Sequence, residues 1–472
     1  MTELLIKGGC VVTMDPGIGD FASADVHVRD GRLVAVAPQL DVPGAEVIDA
    51  VGKIVIPGLV DGHRHVWQSL LRGVSVDWSF AEYMVEARSM YCGCFEPEDA
   101  YVANYLGGLE AIAAGITSLV DHSHLQASPA MSDALAAGLL ASGVGGIFCY
   151  ALQNVPTYCD GAPIDKDDVR DMLMRVPDAW HDGNAARVQA AFRSASPLKF
   201  GVALPETTPY LPPEMAEAAF RRAAALKPSF ITGHWNATMR DGSYVSSLPH
   251  LVEAGVFTTP TSLTHCNDLS EADMSLMAAN GIGLSTCPDI ECGMGIGRLQ
   301  ARRFGELGGA SSLGLDVSSY AQSDILKQAR LMLQTERKRL ADAAGHMPAK
   351  TGWAARGALE MVTIKGAQSL GLGHEVGSLT PGKRADVVIV APNPVLAMPV
   401  IDPVATLLFY TDAADVETVI VNGDVRKQGG HLVGVDLKTL RQDCAHASAR
   451  VQGRYKLLPR DTLRQVWAGM FG

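Results

Sequence analysis

The segment Ile54-Val55-Ile56-Pro57-Gly58-Leu59-Val60-Asp61-Gly62-His63-Arg64-His65 decides how this chain is read. The apolar run Ile54–Val60 is long enough for a buried strand, and it leads straight into Asp61-Gly62-His63-Arg64-His65. Side chains two apart on a strand point the same way. His63 and His65 therefore place two imidazoles on one side of a strand end, a pair suited to zinc and other first-row metals. Gly58 and Gly62 let the backbone turn tightly around such a site.

Working outward from this segment, strands and helices alternate, which favours a parallel sheet. Strands are expected at Val55, Ile116, Val144, Phe200, Ser229, Thr261, Ile282 and Ser311. Eight such units predict an α/β chain folded as a (β/α)8 barrel, and barrel active sites lie at the carboxyl ends of the strands. His234, His265 and Asp316 each close one of these strands. Residues 74–96 read as a polar and aromatic loop, and residues 151–198 as an insertion with helical pieces.

Both ends of the chain have a different texture. Residues 1–57 hold short apolar runs, with Asp30-Gly31 signalling a tight hairpin. The same texture returns at Ala385–Val390 and at Thr418–Val421, the latter closed by Asn422-Gly423. The expected division is a small β-sandwich domain shared by residues 1–57 and 372–435, a metal-dependent barrel over 58–371, and a helical tail over 436–472.

The 472 residues are 47% hydrophobic, enough for a barrel and a smaller partner domain. A net charge of −12 argues against nucleic acid or an anionic membrane as partner, and no apolar run is long enough to span a bilayer. Nine cysteines are scattered, and Met1-Thr2-Glu3 leads into a strand rather than a signal peptide. Reduced thiols in a cytoplasmic protein are expected, with Cys92-Gly93-Cys94 a buried or loop thiol pair or, alternatively, a metal or redox pair. Thirteen histidines give ample ligand choice, so position must select among them.

With Pro57-Gly58-Leu59-Val60-Asp61-Gly62-His63-x-His65 at this place, the chain resembles the amidohydrolase superfamily. Within it, the likeness is to the cytosine-deaminase, chlorohydrolase and guanine-deaminase branch. The resemblance implies one divalent metal, zinc in first place with iron the alternative, held by His63, His65, His234 and Asp316. It implies that Asp316 also acts as general base, and that His265 is a non-ligand that stabilises developing charge. Binuclear relatives carry a bridging lysine after strand 4. Here that region ends Leu204-Pro205-Glu206, with Lys199 at the opposite end, so one metal is favoured over two.

Two departures narrow the chemistry. Many deaminases of this branch carry His-x-x-Glu after strand 5, where the glutamate shuttles protons. This chain has His234-Trp235-Asn236-Ala237, and alanine transfers no proton. After strand 7, Cys287-Pro288-Asp289-Ile290-Glu291 brings a carboxylate where the branch shows Cys-Pro-x-Ser-Asn. Glu291 is read as a replacement shuttle on a loop over the barrel mouth, or as a residue lining the pocket or capping a turn.

Trp67, Gln68 and Trp235 are candidate substrate contacts, with core packing the competing reading for each tryptophan. His122 and His124, a second HxH after strand 2, are read as substrate contacts, structural hydrogen-bonding residues or a second metal pair. Arg72 is expected in a structural salt bridge. The predicted activity is hydrolysis of a C–N bond of amide, carbamate, urea or ring-substituent type by a metal-activated water. The alternatives are an aminohydrolase of a purine, pyrimidine or triazine-like ring, and a catalytically silent scaffold. The expected partners are a small-molecule substrate and further copies of the chain, as a dimer or tetramer.

Overall fold

The computed structural model describes residues 3–155, 175–235 and 245–468. Its centre is a sheet of eight parallel strands in sequential order. They are β1 (Leu59–Arg64), β2 (Ile116–Ser123), β3 (Gly145–Ala151), β4 (Leu198–Ala203), β5 (Ile231–His234), β6 (Thr261–Thr264), β7 (Gly283–Thr286) and β8 (Ser311–Leu313). Each is almost wholly buried, as strands covered on both faces must be. The sheet closes on itself between β1 and the residues after β8. The Asp316 N–H donates to the His63 carbonyl (2.9 Å), and the His65 N–H donates to the Asp316 carbonyl (2.8 Å). Closure therefore happens through the candidate ligands themselves.

Tight packing at that seam depends on glycine. A Cβ at Gly62 would lie 2.0 Å from Ser312 Oγ and 2.5 Å from its Cβ on the facing strand. Gly62→Ala is expected to destabilise the barrel by about 1–3 kcal/mol, the usual cost of overpacking. A thermal melt that matched wild type would show the seam to be looser than this.

The second domain joins both ends of the chain in one mixed sheet of nine strands. Phe21–Arg29 and Arg32–Ala37 pair through Arg29 and Arg32 around Asp30-Gly31, both with positive φ (47° and 75°). Asn422-Gly423 does the same between Val416–Val421 and Asp424–Gln428 (53° and 85°). These are the paired left-handed residues of a two-residue hairpin loop. Glu3–Val11 is a single strand with register shifts near Gly9.

Residues 74–96 are more ordered than the loop read from sequence. Phe80–Tyr83 is a helical turn, Met84–Met90 a wide π-helical turn and Tyr91–Cys94 a 3-10 turn. Ser79 and Glu82 form a capping box at its start, a signal present in the sequence as Ser-x-x-Glu. The helices Leu437–Leu457 and Arg460–Ala468 pack against this segment. Arg450 and Arg454 each reach Asp99 at 2.6 Å, Tyr91 stacks on Tyr455 with ring centroids 3.9 Å apart, and Tyr455 and Arg464 hydrogen-bond Glu86. In the insertion, the described part holds the helix Trp180–Gln189. No described helix is long and apolar enough to cross a membrane.

Candidate metal centre

Strand alternation turns His63 into the barrel and Arg64 away from it. Arg64 pairs with Asp61 (3.0 Å) and donates to the Gly107 carbonyl (3.3 Å), so the charge between the two histidines is satisfied outside the site. His65 follows the strand, and its Nδ1–H donates to the His122 carbonyl (2.9 Å). His63 Nδ1 lies 3.2 Å from Thr264 Oγ1. Both rings thus use Nδ1 for support and aim Nε2 inward, the arrangement that fixes a ligating tautomer.

His234 ends β5 and brings its Nε2 within 3.2 Å of His63 Nε2. Asp316 Oδ1 lies 3.2 Å from His65 Nε2 and 3.6 Å from His63 Nε2. Three imidazole nitrogens and one carboxylate oxygen meet here, a donor set that fits zinc or ferrous iron. Burial drives the His63 pKa down to about 4, so the ring stays neutral. Burial would raise the Asp316 carboxyl, but His63 and His65 outweigh it and hold it well below the usual carboxylate range. Neutral imidazoles and an ionised carboxylate are the protonation states a cation requires.

His265 follows β6 with φ at 71°, and Asp316 has φ at 60°. Left-handed conformations at such residues are uncommon and cluster at functional sites. His265 Nε2 is 3.7 Å from Asp316 Oδ2, and its Nδ1 is 3.1 Å from Glu291 Oε1. Burial pulls the His265 pKa down, yet the two carboxylates more than compensate and leave it above its ordinary value.

Glu291 is not on a loop over the mouth. Pro288, at the first helical position after Cys287, starts the short helix Pro288–Gly293 and carries Glu291 inward to 1% exposure. Its carboxylate accepts from the Cys287 N–H (2.7 Å) and Asn267 Nδ2 (3.0 Å) and faces the back of the His265 ring. So enclosed, it meets the His265 ring at 3.1 Å. Burial raises its pKa. Asp289 is turned away and hydrogen-bonds Gln328.

The other candidates divide. His124 is buried beside the His65 ring, accepts from Trp67 Nε1–H at Nδ1 (3.4 Å), and has Nε2 3.1 Å from Glu206 Oε1. His122 is buried against the His234 ring, and neither of its ring nitrogens has a partner among the described residues. One nitrogen each of His122, His124 and His234 lies within 4.8 Å of the others. The surroundings do not suit a second cation, because His124 faces a donor at Nδ1 and shares Glu206 with Arg88.

Gln68 is tied at both ends, donating to Tyr83 Oη (2.6 Å) and accepting from Ser319 Oγ (2.9 Å). Trp67 is fully buried edge-on to Phe95, and Trp235 is fully buried near Phe220. Arg72 makes its expected salt bridge with Glu110 (2.9 Å), and Lys199 pairs with Glu375 at the far end of β4. Asn236 and Ala237 lie outside the described residues. Eight described cysteines are free thiols, and burial pushes Cys92 up to about 11 and Cys94 to about 12.

Two residues escaped the sequence reading. Glu206, three residues beyond β4, reaches towards the centre, with Oε1 3.8 Å from His234 Nδ1. Arg88, from the π-helical turn, grips it with Nε at 3.0 Å from Oε1 and Nη2 at 2.8 Å from Oε2. A carboxylate just past a strand end was a visible signal for Glu206. Arg88 gave none, since its partner lies 118 residues away in sequence.

A closed parallel barrel with three imidazoles and a carboxylate at its carboxyl rim is the frame of a metal-dependent hydrolase. Comparison with known proteins agrees. The amidohydrolase family model matches residues 54–426. A 5-methylthioadenosine/S-adenosylhomocysteine deaminase of Desulforudis audaxviator is 27% identical over 463 residues, covering 95% of this chain and 99% of the relative. A 5'-deoxyadenosine deaminase of Methanosarcina mazei is 25% identical over 456 residues, covering 96% and 99%. Among solved structures, an adenosine deaminase from Xanthomonas campestris with bound zinc superposes with a TM-score of 0.77 at 21% identity, covering 96% of this chain and 99% of that one. Atrazine chlorohydrolase TrzN from Arthrobacter aurescens, complexed with zinc, gives 0.78 at 21% identity, covering 94% and 100%. The chain belongs to the amidohydrolase family, and it is a metal-dependent enzyme that hydrolyses C–N bonds.

Proposed function

We propose that the enzyme hydrolyses an amide, carbamate, urea or ring-substituent C–N bond in a small molecule. One divalent cation, zinc in first place, would be held by His63, His65, His234 and Asp316. The observation that carries the reading is the reach of Asp316, whose Oδ1 faces His63 and His65 while Oδ2 faces His265. A bound cation supplies an acidified water and polarises the substrate. Asp316, already ionised, takes the water's proton. His265, oriented from behind by Glu291, points Nε2 at the same space and stabilises charge developing on the substrate. All four donors are present, which counts against a silent scaffold.

A second reading, an aminohydrolase acting on a purine-like ring, is favoured by full-length similarity to adenine-nucleoside deaminases. Ala237 counts against it. Free thiols support a cytoplasmic setting. Exposed Val395, Leu396 and Ile401 support association into a dimer or tetramer.

The test is a screen for released ammonia or amine over amides, ureas, carbamates and amino-heterocycles, including 5'-methylthioadenosine and 5'-deoxyadenosine. Release that stops with a chelator and returns with zinc is expected. Turnover indifferent to the chelator would sink the proposal, and turnover confined to the nucleosides would favour the second reading.

A further inference from the structure

Glu206 is the carboxylate whose presence the metal centre does not explain. Its two oxygens are pinned by Arg88, Gln153 Nε2 donates to Oε2 at 2.8 Å, and His124 Nε2 lies 3.1 Å from Oε1. The Glu206 N–H in turn donates to Gln153 Oε1 (3.1 Å), so the group is fixed from both main chain and side chain. A buried ion pair gives a fold little net stability compared with apolar residues of the same shape. Here the pair is asymmetric, with the Arg88 side chain 5% exposed and that of Glu206 17%. The carboxylate is the open partner, and Oε1 is the oxygen turned towards His234.

Unpartnered polar atoms surround it. The Asn154 amide nitrogen, His234 Nδ1 and both His122 ring nitrogens are buried without a partner among the described residues. Such atoms are costly unless a ligand meets them. Beside Glu206 lies a small recess lined by Gln153, Asn154 and Thr207. It shares Arg175, Pro177, Pro205 and Thr207 with a cavity of about 210 Å³ walled mainly by Leu152, Leu211, Met215 and Ala219, with Arg222 also in its lining. Glu206 thus stands between His234 on one side and, on the other, a recess that adjoins an apolar cavity.

We infer that Glu206 Oε1 accepts an N–H of the substrate while the adjoining cavity takes an uncharged apolar arm. The inference rests on reading the centre as a C–N hydrolase site, whose substrates carry nitrogen donors. It assigns the substrate class as an N–H-bearing amide, urea or amino-heterocycle with an apolar substituent of roughly ring size.

Binding of three probes to zinc-loaded protein, followed by calorimetry, tests this without turnover. Phenylurea has both features, urea has the N–H donors alone, and acetophenone has the ring without N–H. Phenylurea is expected to bind at least tenfold more tightly than either. Glu206→Gln should bring phenylurea down to the acetophenone level with zinc content unchanged. Ala219→Phe, which fills the cavity, should bring it down to the urea level. An Arg88→Met/Glu206→Leu double variant, which removes both charges together, should behave as Glu206→Gln does. The inference is overturned if phenylurea binds no better than the partial probes, or if Glu206→Gln keeps the wild-type preference. Since no catalysis is read, an empty amine-release screen would refute the proposed reaction and leave this outcome to stand on its own.

Discussion

Protein carrying His63→Ala is expected to lose its metal and, with it, all measurable turnover. The ring is central to the donor set. Its Nε2 lies 3.2 Å from that of His234 and 3.6 Å from Asp316, and its Nδ1 meets Thr264. Loss of a supporting residue alone typically costs about 10–100-fold in metal affinity, and loss of the ligand itself should cost at least about 100-fold. The fold should survive, because the barrel seam is made by the His63 backbone and not by its ring. Metal analysis of purified wild type and variant checks this, with a thermal melt as control for folding. About one metal per wild-type chain is expected. Undiminished metal in the variant would remove His63 from the site.

His265→Ala separates chemistry from metal binding. Metal content should stay near wild type, since the proposed cation is held by His63, His65, His234 and Asp316 without the His265 ring. Turnover should fall by about 10²–10⁴, the usual loss when one positioned proton-transfer or hydrogen-bonding group is removed. Glu291→Gln is expected to follow it with a fall of about 10² and metal retained, because the carboxylate orients the ring. Asp289→Asn serves as the control, and turnover should stay near wild type, since Asp289 is engaged with Gln328 away from the centre. If His265→Ala lost its metal, the residue would be a ligand. If Glu291→Gln kept wild-type turnover, the ring would need no help from behind.

Much of this was legible because it was written in local pattern. The eight strands are short apolar runs whose polar residues stand at their carboxyl ends, so His63, His65, His234, His265 and Asp316 could be picked out before any coordinates. The two hairpins were fixed by Asp30-Gly31 and Asn422-Gly423, whose positive φ angles few other dipeptides accept. What stayed hidden depends on contacts between distant segments. Glu291 looks like a mouth residue until Pro288 starts a helix that turns it inward. Residues 74–96 look like a loop because their helical turns are stabilised less by propensity than by packing from helices far along the chain. Arg88 and Glu206 are each unremarkable alone, and only their meeting makes a fixed carboxylate.

That dependence has a consequence for how the site is assembled. Arg88 sits on the π-helical turn, and Glu86 on the same turn is hydrogen-bonded by Tyr455, 369 residues later in sequence. The helix carrying Tyr455 lies outside the barrel, so this contact can form only once that helix has docked. The metal ligands can be brought together by the barrel alone, whereas the wall carrying Arg88 waits for Leu437–Leu457 to dock. Folding should therefore pass through a stage with a complete metal centre and an unsecured substrate wall. Such a chain would bind metal before it could select a substrate, so metal content would run ahead of competence during refolding.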